Sequence, residues 1–364
     1  MRKFAKYWRD SASLMILARD SVKQTGKNSY NYKVLVFKRT EKTSFMPNSI
    51  VFPGGAVDKQ DESLQWNGLF ARLGGKSHLE QLENLTKIEG PRPFIFENSS
   101  SDTLDRNISL RLTALREAFE ELGVLFGHTK ERSGVSADGY SNAIKNFDVS
   151  TWQKSVHDGE ESFAELCEKL SIAPDLLNIY EWSTWLTPAM FRKRRFETVF
   201  YLVALNEMPE VWSEPHEVAE YVWDTPSGLL QAHKDEKLWL APPQHYELTR
   251  LSHLHDIDEI VRFSKARSSS GSTLFCPVQY ICSDAAVFVL PGDDLYPENY
   301  DYITPHNADL EKFKDSTAEQ FRSQVKNLHR CEHRGLNSQT YYANISPFNA
   351  HLSIHGDNKH LSKL

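Results

Sequence analysis

The chain has 364 residues, of which 40% are hydrophobic and 12% aromatic, enough to bury a sizeable core as one large domain with extensions or as two domains. Its formal net charge of −7 argues against general nucleic-acid binding. It does not exclude a polyanionic small ligand held by a local basic patch and a metal ion. No apolar run approaches the length of a membrane span, so we expect no membrane-spanning segment.

The four cysteines are scattered along the chain, at Cys167, Cys276, Cys282 and Cys331. No two of them form a CxxC pair, which argues against a zinc site. We therefore expect ordinary reduced thiols of an intracellular protein and no disulfide framework.

The first third of the chain predicts three strands, at 11–18, 33–39 and 49–52, followed by a Pro-Gly-Gly break. Residues 62–109 are a long segment of mixed character. Apolar residues within it predict two short helices, around 66–70 and 79–85.

Strands and helices alternate irregularly in the rest of the chain. Residues 268–272 (SSSGS) predict a flexible joint, and beyond residue 290 the periodicity is low, so we expect His329 and His333 to be solvated. Consecutive strands that resemble hairpins favour a mixed sheet with helices on its faces over a doubly wound parallel fold. The elements predicted after residue 124 are a helix at 161–170, strands at 182–187, 198–205 and 221–223, helices at 226–233 and 243–253, and a hairpin of 278–282 with 286–290.

Residues 110–124 (LRLTALREAFEELGV) predict an amphipathic helix with one acidic patch. Glu117, Glu120 and Glu121 stand at i, i+3 and i+4, so their carboxylates share one side of the helix and repel each other by a few tenths of a kcal/mol per pair, on the order of 0.2–0.5. A solvated acidic face is one interpretation. The other is a site for Mg²⁺ or Mn²⁺, whose natural ligands are carboxylate oxygens.

Two separated stretches together resemble the Nudix box, G-x5-E-x7-R-E-U-x-E-E-x-G-U, in which U is aliphatic. Gly55 and Asp61 match the first half, with Asp in place of the usual Glu, and Arg116–Val124 (REAFEELGV) matches the second. Residues 62–115 replace the usual seven-residue spacer. The resemblance implies an α/β (α+β) fold, a Nudix α/β/α sandwich with a mixed sheet, a long insertion inside the box and a C-terminal extension.

The insertion is similar to that of the peroxisomal coenzyme A and acyl-CoA diphosphatase branch of Nudix hydrolases. Further stretches resemble that branch: 45–55, 66–70, 182–188, 194–202, 239–247 and 290–297. On this basis we expect a Nudix domain over 8–253, with an insertion of about 62–109, and an extension over 254–361. The final tripeptide, 362–364 (SKL), predicts a peroxisomal address read by the import receptor.

The resemblance also implies roles for the acidic patch. Glu117 and Glu121 would be the main ligands of Mg²⁺ or Mn²⁺, and Glu120 would be a ligand or orient the water. Glu120, Glu121 and Arg116 would be the catalytic residues, with Arg116 holding the carboxylate rotamers.

The glycine turn and a later loop complete the expected site. Gly54 and Gly55 lack Cβ atoms, so their backbone can approach a metal or a substrate phosphate closely. The position of the general base varies among Nudix enzymes. Here it could be Glu120, or Glu217 or Glu220 in the later loop.

The run Arg192–Arg195 is the main concentration of positive charge. It could be a solvated loop, a nuclear import patch, or a clamp for substrate phosphates. Coenzyme A carries a 3′-phosphate beside its diphosphate, so we favour the clamp, with Arg194, Arg195 and Arg39 as substrate-binding residues.

The function that the resemblance implies is metal-dependent hydrolysis of the diphosphate bond of coenzyme A and acyl-CoA. The products would be adenosine 3′,5′-bisphosphate and (acyl-)4′-phosphopantetheine. Two alternatives stay open: a peroxisomal diphosphatase for NADH or ADP-ribose, and a Nudix-fold binding module without catalysis.

Overall fold

The computed structural model describes residues 8–21, 29–97, 100–129, 138–191, 194–303 and 312–356, except for the side chains of residues 74–77. The described residues form fourteen strands: β1 Arg9–Arg19, β2 Tyr32–Arg39, β3 Ile50–Val51, β4 Gly54–Ala56, β5 Gly127–Thr129, β6 Ile172–Pro174, β7 Ile179–Leu186, β8 Phe196–Leu205, β9 Val218–Asp224, β10 Leu274–Phe275, β11 Val278–Ile281, β12 Ala286–Val289, β13 His329–Gly335 and β14 Ser338–Ala343.

The same ranges contain eight α-helices: α1 Gln65–Leu85, α2 Arg106–Leu122, α3 Val149–His157, α4 Phe163–Lys169, α5 Pro226–Lys234, α6 Pro242–Leu251, α7 Ile257–Ala266 and α8 Ala318–Ser323. None of these helices is long and apolar enough to cross a membrane. The four cysteines are buried and free.

A mixed sheet forms the centre of the molecule, as predicted. Its strands run in the order β10-β7-β8-β1-β2-β3, with β4 paired to β1 and β9 paired to β2. The pairs β1–β8 and β10–β7 are parallel and the other pairs are antiparallel. Because β4 and β2 both pair with β1, the sheet opens between them, and the glycine turn lies at this opening.

The large sheet has a separate apolar core on each face. On one face α2 packs through Leu112, Leu115 and Phe119 against alternate residues of β1, such as Leu14 and Ile16. The opposite face, which carries Met15 and Leu17, is covered by α6, α7 and part of the C-terminal segment. This period-two alternation accounts for the continuous apolar run of β1, which is buried on both sides.

Helix α2 has well-defined ends. The side chain of Asp105 accepts a hydrogen bond from the N–H of Asn107 at the first turn, which satisfies one backbone donor there. The helix ends at Gly123, whose φ of +68° is the left-handed conformation that glycine adopts without strain. The helix predicted from residue 110 therefore begins four residues earlier, at Arg106.

The insertion is part of the folded core. The prediction of two short helices is wrong, since α1 is one continuous helix of 21 residues. Trp66 in its first turn is fully buried, stacks on Phe70 and contacts Phe163 of α4. These aromatic contacts join the insertion to the layer that contains α2.

The chain after residue 275 forms a four-stranded antiparallel sheet, β11-β12-β13-β14, called here the C-terminal sheet. Its first two strands are the predicted hairpin, but low periodicity concealed β13 and β14. The expectation that His329 and His333 are solvated is wrong: both lie on β13, and His329 is only 4% exposed. Burial lowers the pKa of each imidazole to about 4, so both are neutral at pH 7.

Candidate active site

The glycine turn lies directly over the carboxylates of α2. The backbone N–H of Gly54 donates a hydrogen bond of 2.8 Å to Oε2 of Glu121. A Cβ added to Gly55 would lie 2.3 Å from Oε2 of Glu117, closer than any real contact. A larger residue at position 55 would therefore force the carboxylate of Glu117 to move.

Asp61 reaches α2 across the whole insertion. Its two oxygens accept hydrogen bonds from Nε and Nη2 of Arg116, each 2.9 Å long. The hydroxyl of Thr113 and the N–H of Asp58 donate further bonds of 2.8 and 3.0 Å to Oδ2. Asp61 is completely buried and has four donors around its carboxylate, so it closes the two halves of the motif into one unit.

Arg116 also holds two of the three glutamates. Its Nη1 lies 2.9 Å from Oε1 of Glu117 and 3.1 Å from Oε1 of Glu120, while Nη2 donates to the carbonyl of Ala56. One buried guanidinium therefore joins the acidic patch to the end of β4. Arg116 thus contacts two of the glutamates whose rotamers the resemblance implied it would hold, and Asp61 is its principal partner.

Burial makes the acidic patch hard to ionise. Desolvation raises the pKa of Glu117 to about 7, although the positive charge of Arg116 acts to lower it. Burial and the charges of Glu117 and Glu217 raise the pKa of Glu121 well above its usual value, and burial raises that of Glu120. Carboxylates that lie so close together and are so deeply buried favour either a proton or a cation between them.

The donor set fits a divalent cation. Carboxylate oxygens are the ligands that Mg²⁺ and Mn²⁺ prefer, and here two of the three glutamates share the single guanidinium of Arg116 with Asp61. Within the described ranges no three acidic, histidine or cysteine side chains are already gathered around one point as ligands. The contacts above explain this arrangement, because Glu117 and Glu120 turn toward Arg116 while Glu121 turns toward Gly54.

The carboxylates of Glu117, Glu120 and Glu121 line a cavity of about 580 Å³. Arg39, predicted as a substrate-binding residue, lines the same cavity, and its charge lowers the pKa of Glu121. Its buried Nε has no hydrogen-bond partner among the described residues. Arg39 is therefore available to an anionic ligand.

Sequence reasoning missed a second arginine in the cavity wall. Every second residue at the start of β1 lines the cavity, namely Arg9, Ser11 and Ser13. Arg9 could have been predicted from its position two residues before Ser11, at the start of a predicted strand, because residues i and i+2 of a strand lie on the same face.

Of the three arginines predicted to bind the substrate, Arg39 lines the cavity, whereas Arg194 and Arg195 do not. Arg195 is 5% exposed and does not line it, because its Nε donates to the carbonyl of Thr187 and its Nη1 to that of Tyr302. Its guanidinium also stacks over Trp8. Arg194 is exposed and lies outside the lining, and residues 192–193 fall outside the described part of the chain. The structure therefore places Arg195 against Trp8 and outside the lining of the cavity.

The two later base candidates differ in position. Glu217 lines the cavity, and its charge raises the pKa values of both Glu120 and Glu121. Glu220 is exposed on β9 and is not part of the lining. Glu120 and Glu217 therefore remain the candidates that share a cavity with the acidic patch.

Comparison with known proteins agrees with this geometry. The family model described as the NUDT19 Nudix domain matches residues 8–251. The chain belongs to the NUDT19 Nudix family. A second model, the NUDT19 C-terminal domain, matches residues 279–344. The resemblance to Nudix hydrolases inferred from the sequence is thereby confirmed.

Relatives of this Nudix protein include acyl-coenzyme A diphosphatase NUDT19 from Xenopus laevis, 33% identical over 321 residues, covering 83% of this chain and 84% of the relative. The protein of that name from Gallus gallus is 30% identical, and the match covers 96% of this chain and 95% of the relative. The one from Homo sapiens is 29% identical, and the match covers 97% of this chain and 94% of the relative. A solved Nudix hydrolase from Alicyclobacillus acidocaldarius has a TM-score of 0.50 at 21% identity, covering 70% of this chain and 96% of that one, and confirms the fold.

Replacing Asp61 by Asn tests the connection across the insertion. Arg116 would keep Glu117 and Glu120 but lose its most deeply buried counterion, and the NH2 of the new amide would face groups that now donate to the carboxylate. We therefore expect Asp61→Asn to lower the free energy of unfolding by about 3 kcal/mol. Urea denaturation measures this change. Asp58→Asn is the matched control, because Asp58 is exposed three residues earlier in the same loop. Equal stabilities of the two variants would contradict the central role of Asp61.

Proposed function

We propose that this Nudix protein hydrolyses the diphosphate bond of coenzyme A and acyl-CoA in a metal-dependent reaction. The products would be adenosine 3′,5′-bisphosphate and 4′-phosphopantetheine or its acylated form. The observation that supports this most directly is the shared cavity of Glu117, Glu120, Glu121 and Arg39, in a chain similar to proteins named acyl-coenzyme A diphosphatase.

Glu117 and Glu121, with Glu120 as a further ligand, would hold Mg²⁺ or Mn²⁺. When bound, the cation would supply charge neutralisation on the phosphoryl oxygens and lower the pKa of water. Arg116 would keep the glutamate side chains in place, since it is itself fixed by Asp61.

The protein's own groups would perform the remaining tasks. Hydrolysis adds a water oxygen to one phosphorus and breaks the bond from that phosphorus to the bridging oxygen. A carboxylate must accept the proton that the water loses, and Glu120 is the candidate base that lines the cavity beside Glu117 and Glu121. Glu217 is the alternative base from the same cavity.

Arg39 and Arg9 are the residues we assign to the substrate's phosphates. Arg39 has a buried Nε without a partner in the described part of the chain, and Arg9 is exposed at the start of β1. A guanidinium binds phosphate oxygens through paired, charge-assisted hydrogen bonds. Charge on these two arginines would compensate the anionic substrate in a protein of net negative charge.

A substrate panel with one pair of variants tests the proposed function. The wild-type protein, with Mg²⁺ or Mn²⁺, should turn over free CoA and acyl-CoA faster than NADH or ADP-ribose, with products identified by mass spectrometry. Glu121→Gln should lower kcat/KM by about 100-fold, because it removes a ligand charge while the amide oxygen still accepts from Gly54.

Glu220→Gln is the control, because it is the same substitution at an exposed residue outside the cavity. Full activity of Glu121→Gln would reject the metal-ligand assignment. Faster turnover of NADH or ADP-ribose than of any CoA species would favour the alternative substrates. Absence of hydrolysis with every substrate would favour a binding module.

We also propose that the terminal Ser362-Lys363-Leu364 directs the protein to peroxisomes, although these residues lie outside the described part of the chain. A fluorescent protein fused to the N-terminus should colocalise with a peroxisomal marker. Deletion of 362–364 should make the fusion diffuse, whereas alanine substitution of 359–361 should not. Peroxisomal signal in the deletion variant would argue against this address.

A further inference from the structure

The C-terminal sheet supplies one wall of the cavity that contains the carboxylates. Phe288 on β12, Cys331 on β13 and Tyr341 on β14 are paired in register across the three strands. Directly paired residues point to the same face of a sheet, so these side chains form one row. All three line the cavity, and we call them the cavity row.

The cavity row is not needed for the sheet's own core. Val287 and Val289 alternate with Phe288 along β12, and they are fully buried against Tyr280 and Phe321 on the other face. Because successive side chains alternate between faces, the sheet's own packing uses the residues between those of the row. Its second face is therefore left to the large sheet and the cavity.

The cavity row and the carboxylates lie in different parts of the cavity. Helix α2 packs on the face of the large sheet that carries Ile16, whereas Tyr341 packs with Trp185 and Phe200 on the opposite face. Trp185 and Phe200 also line the cavity. The cavity thus runs from the glycine turn at the sheet's opening to an aromatic region beyond it, and it suits an elongated ligand.

Among the described residues, the C-terminal segment adds no lysine or arginine to the lining of the cavity. Among the described residues, the arginines in the lining are Arg9 and Arg39, which belong to β1 and β2. The C-terminal segment contributes Pro277, Leu290 and His333 beside the cavity row. Burial lowers the pKa of His333 to about 4, so it adds no positive charge at pH 7. A phosphate placed there would lose its hydration without gaining a cation.

A neutral polar group nevertheless lies in this lining. Gln244 of α6 lines the cavity and is 7% exposed, and its Oε1 has no hydrogen-bond partner among the described residues. A buried amide oxygen without a donor favours a ligand that brings an N–H group. A pantetheine arm carries two amide N–H groups and no charge, whereas the adenosine half of CoA carries a 3′-phosphate.

We propose that the cavity row binds the acyl end of the substrate, with the pantetheine arm passing Gln244 between the row and the carboxylates. This inference rests on the proposed function and assigns the C-terminal sheet to acyl recognition. Phe288, Cys331 and Tyr341 are thus specificity-determining residues for a neutral apolar chain.

Steady-state kinetics with free CoA and dodecanoyl-CoA tests the assignment through the ratio of their kcat/KM values. Phe288→Ala and Phe288→Glu should lower the dodecanoyl-CoA to free CoA ratio, by about tenfold for the glutamate, because a charge replaces apolar contact with the chain. Leu336→Ala and Leu336→Glu are matched controls in the turn between β13 and β14, where Leu336 is 65% exposed and outside the lining.

The ratio does not depend on the fraction of protein that is folded, since misfolding lowers both rates equally. An unchanged ratio in the Phe288 variants, or an equal change in the Leu336 variants, would overturn the proposal. A second measurement uses the wild-type protein alone. Inhibition of free-CoA hydrolysis should strengthen from acetyl-pantetheine to dodecanoyl-pantetheine, and inhibition independent of chain length would also overturn it. A wild-type protein that hydrolyses no CoA species would reject the proposed function itself.

Discussion

The ion pair between Asp61 and Arg116 joins the two halves of the site. Both side chains are at least 95% buried, and the guanidinium that binds Asp61 also binds Glu117 and Glu120. A buried charge without its partner is strongly destabilising, so neither residue is readily replaced alone. The acidic patch is consequently oriented by a residue on the far side of the insertion, and the close approach of Gly55 to Glu117 completes the arrangement.

The insertion can be long because both of its ends are fixed beside the site. Arg106, at the first turn of α2, pairs with Glu62 at the start of the insertion and with Asp10 of β1. The N–H of Leu104 also donates to the carbonyl of Glu62. The chain therefore leaves and re-enters the site at adjacent points. The entropy cost of closing a loop rises only slowly with its length, so an excursion of this size is tolerated.

Much of the site could be predicted because its signals are local. The spacing of Glu117, Glu120 and Glu121 on a helix is visible in the sequence, as are the glycine turn and the apolar strands. The state of Arg195 was not visible, since a guanidinium that donates to the carbonyls of Thr187 and Tyr302 looks the same in sequence as one that faces a cavity. The aromatic part of the cavity depends on pairing among β12, β13 and β14. The sequence has no periodic pattern that predicts β13 and β14.

We propose that the acidic patch held by Arg116 is a divalent-cation site. Titration with Mn²⁺, followed by the electron paramagnetic resonance signal of the free ion, measures this binding without any substrate. We expect saturable binding by the wild-type protein and loss of at least one site in the Glu117→Gln, Glu121→Gln double variant. Undiminished Mn²⁺ binding by a folded double variant would contradict the claim.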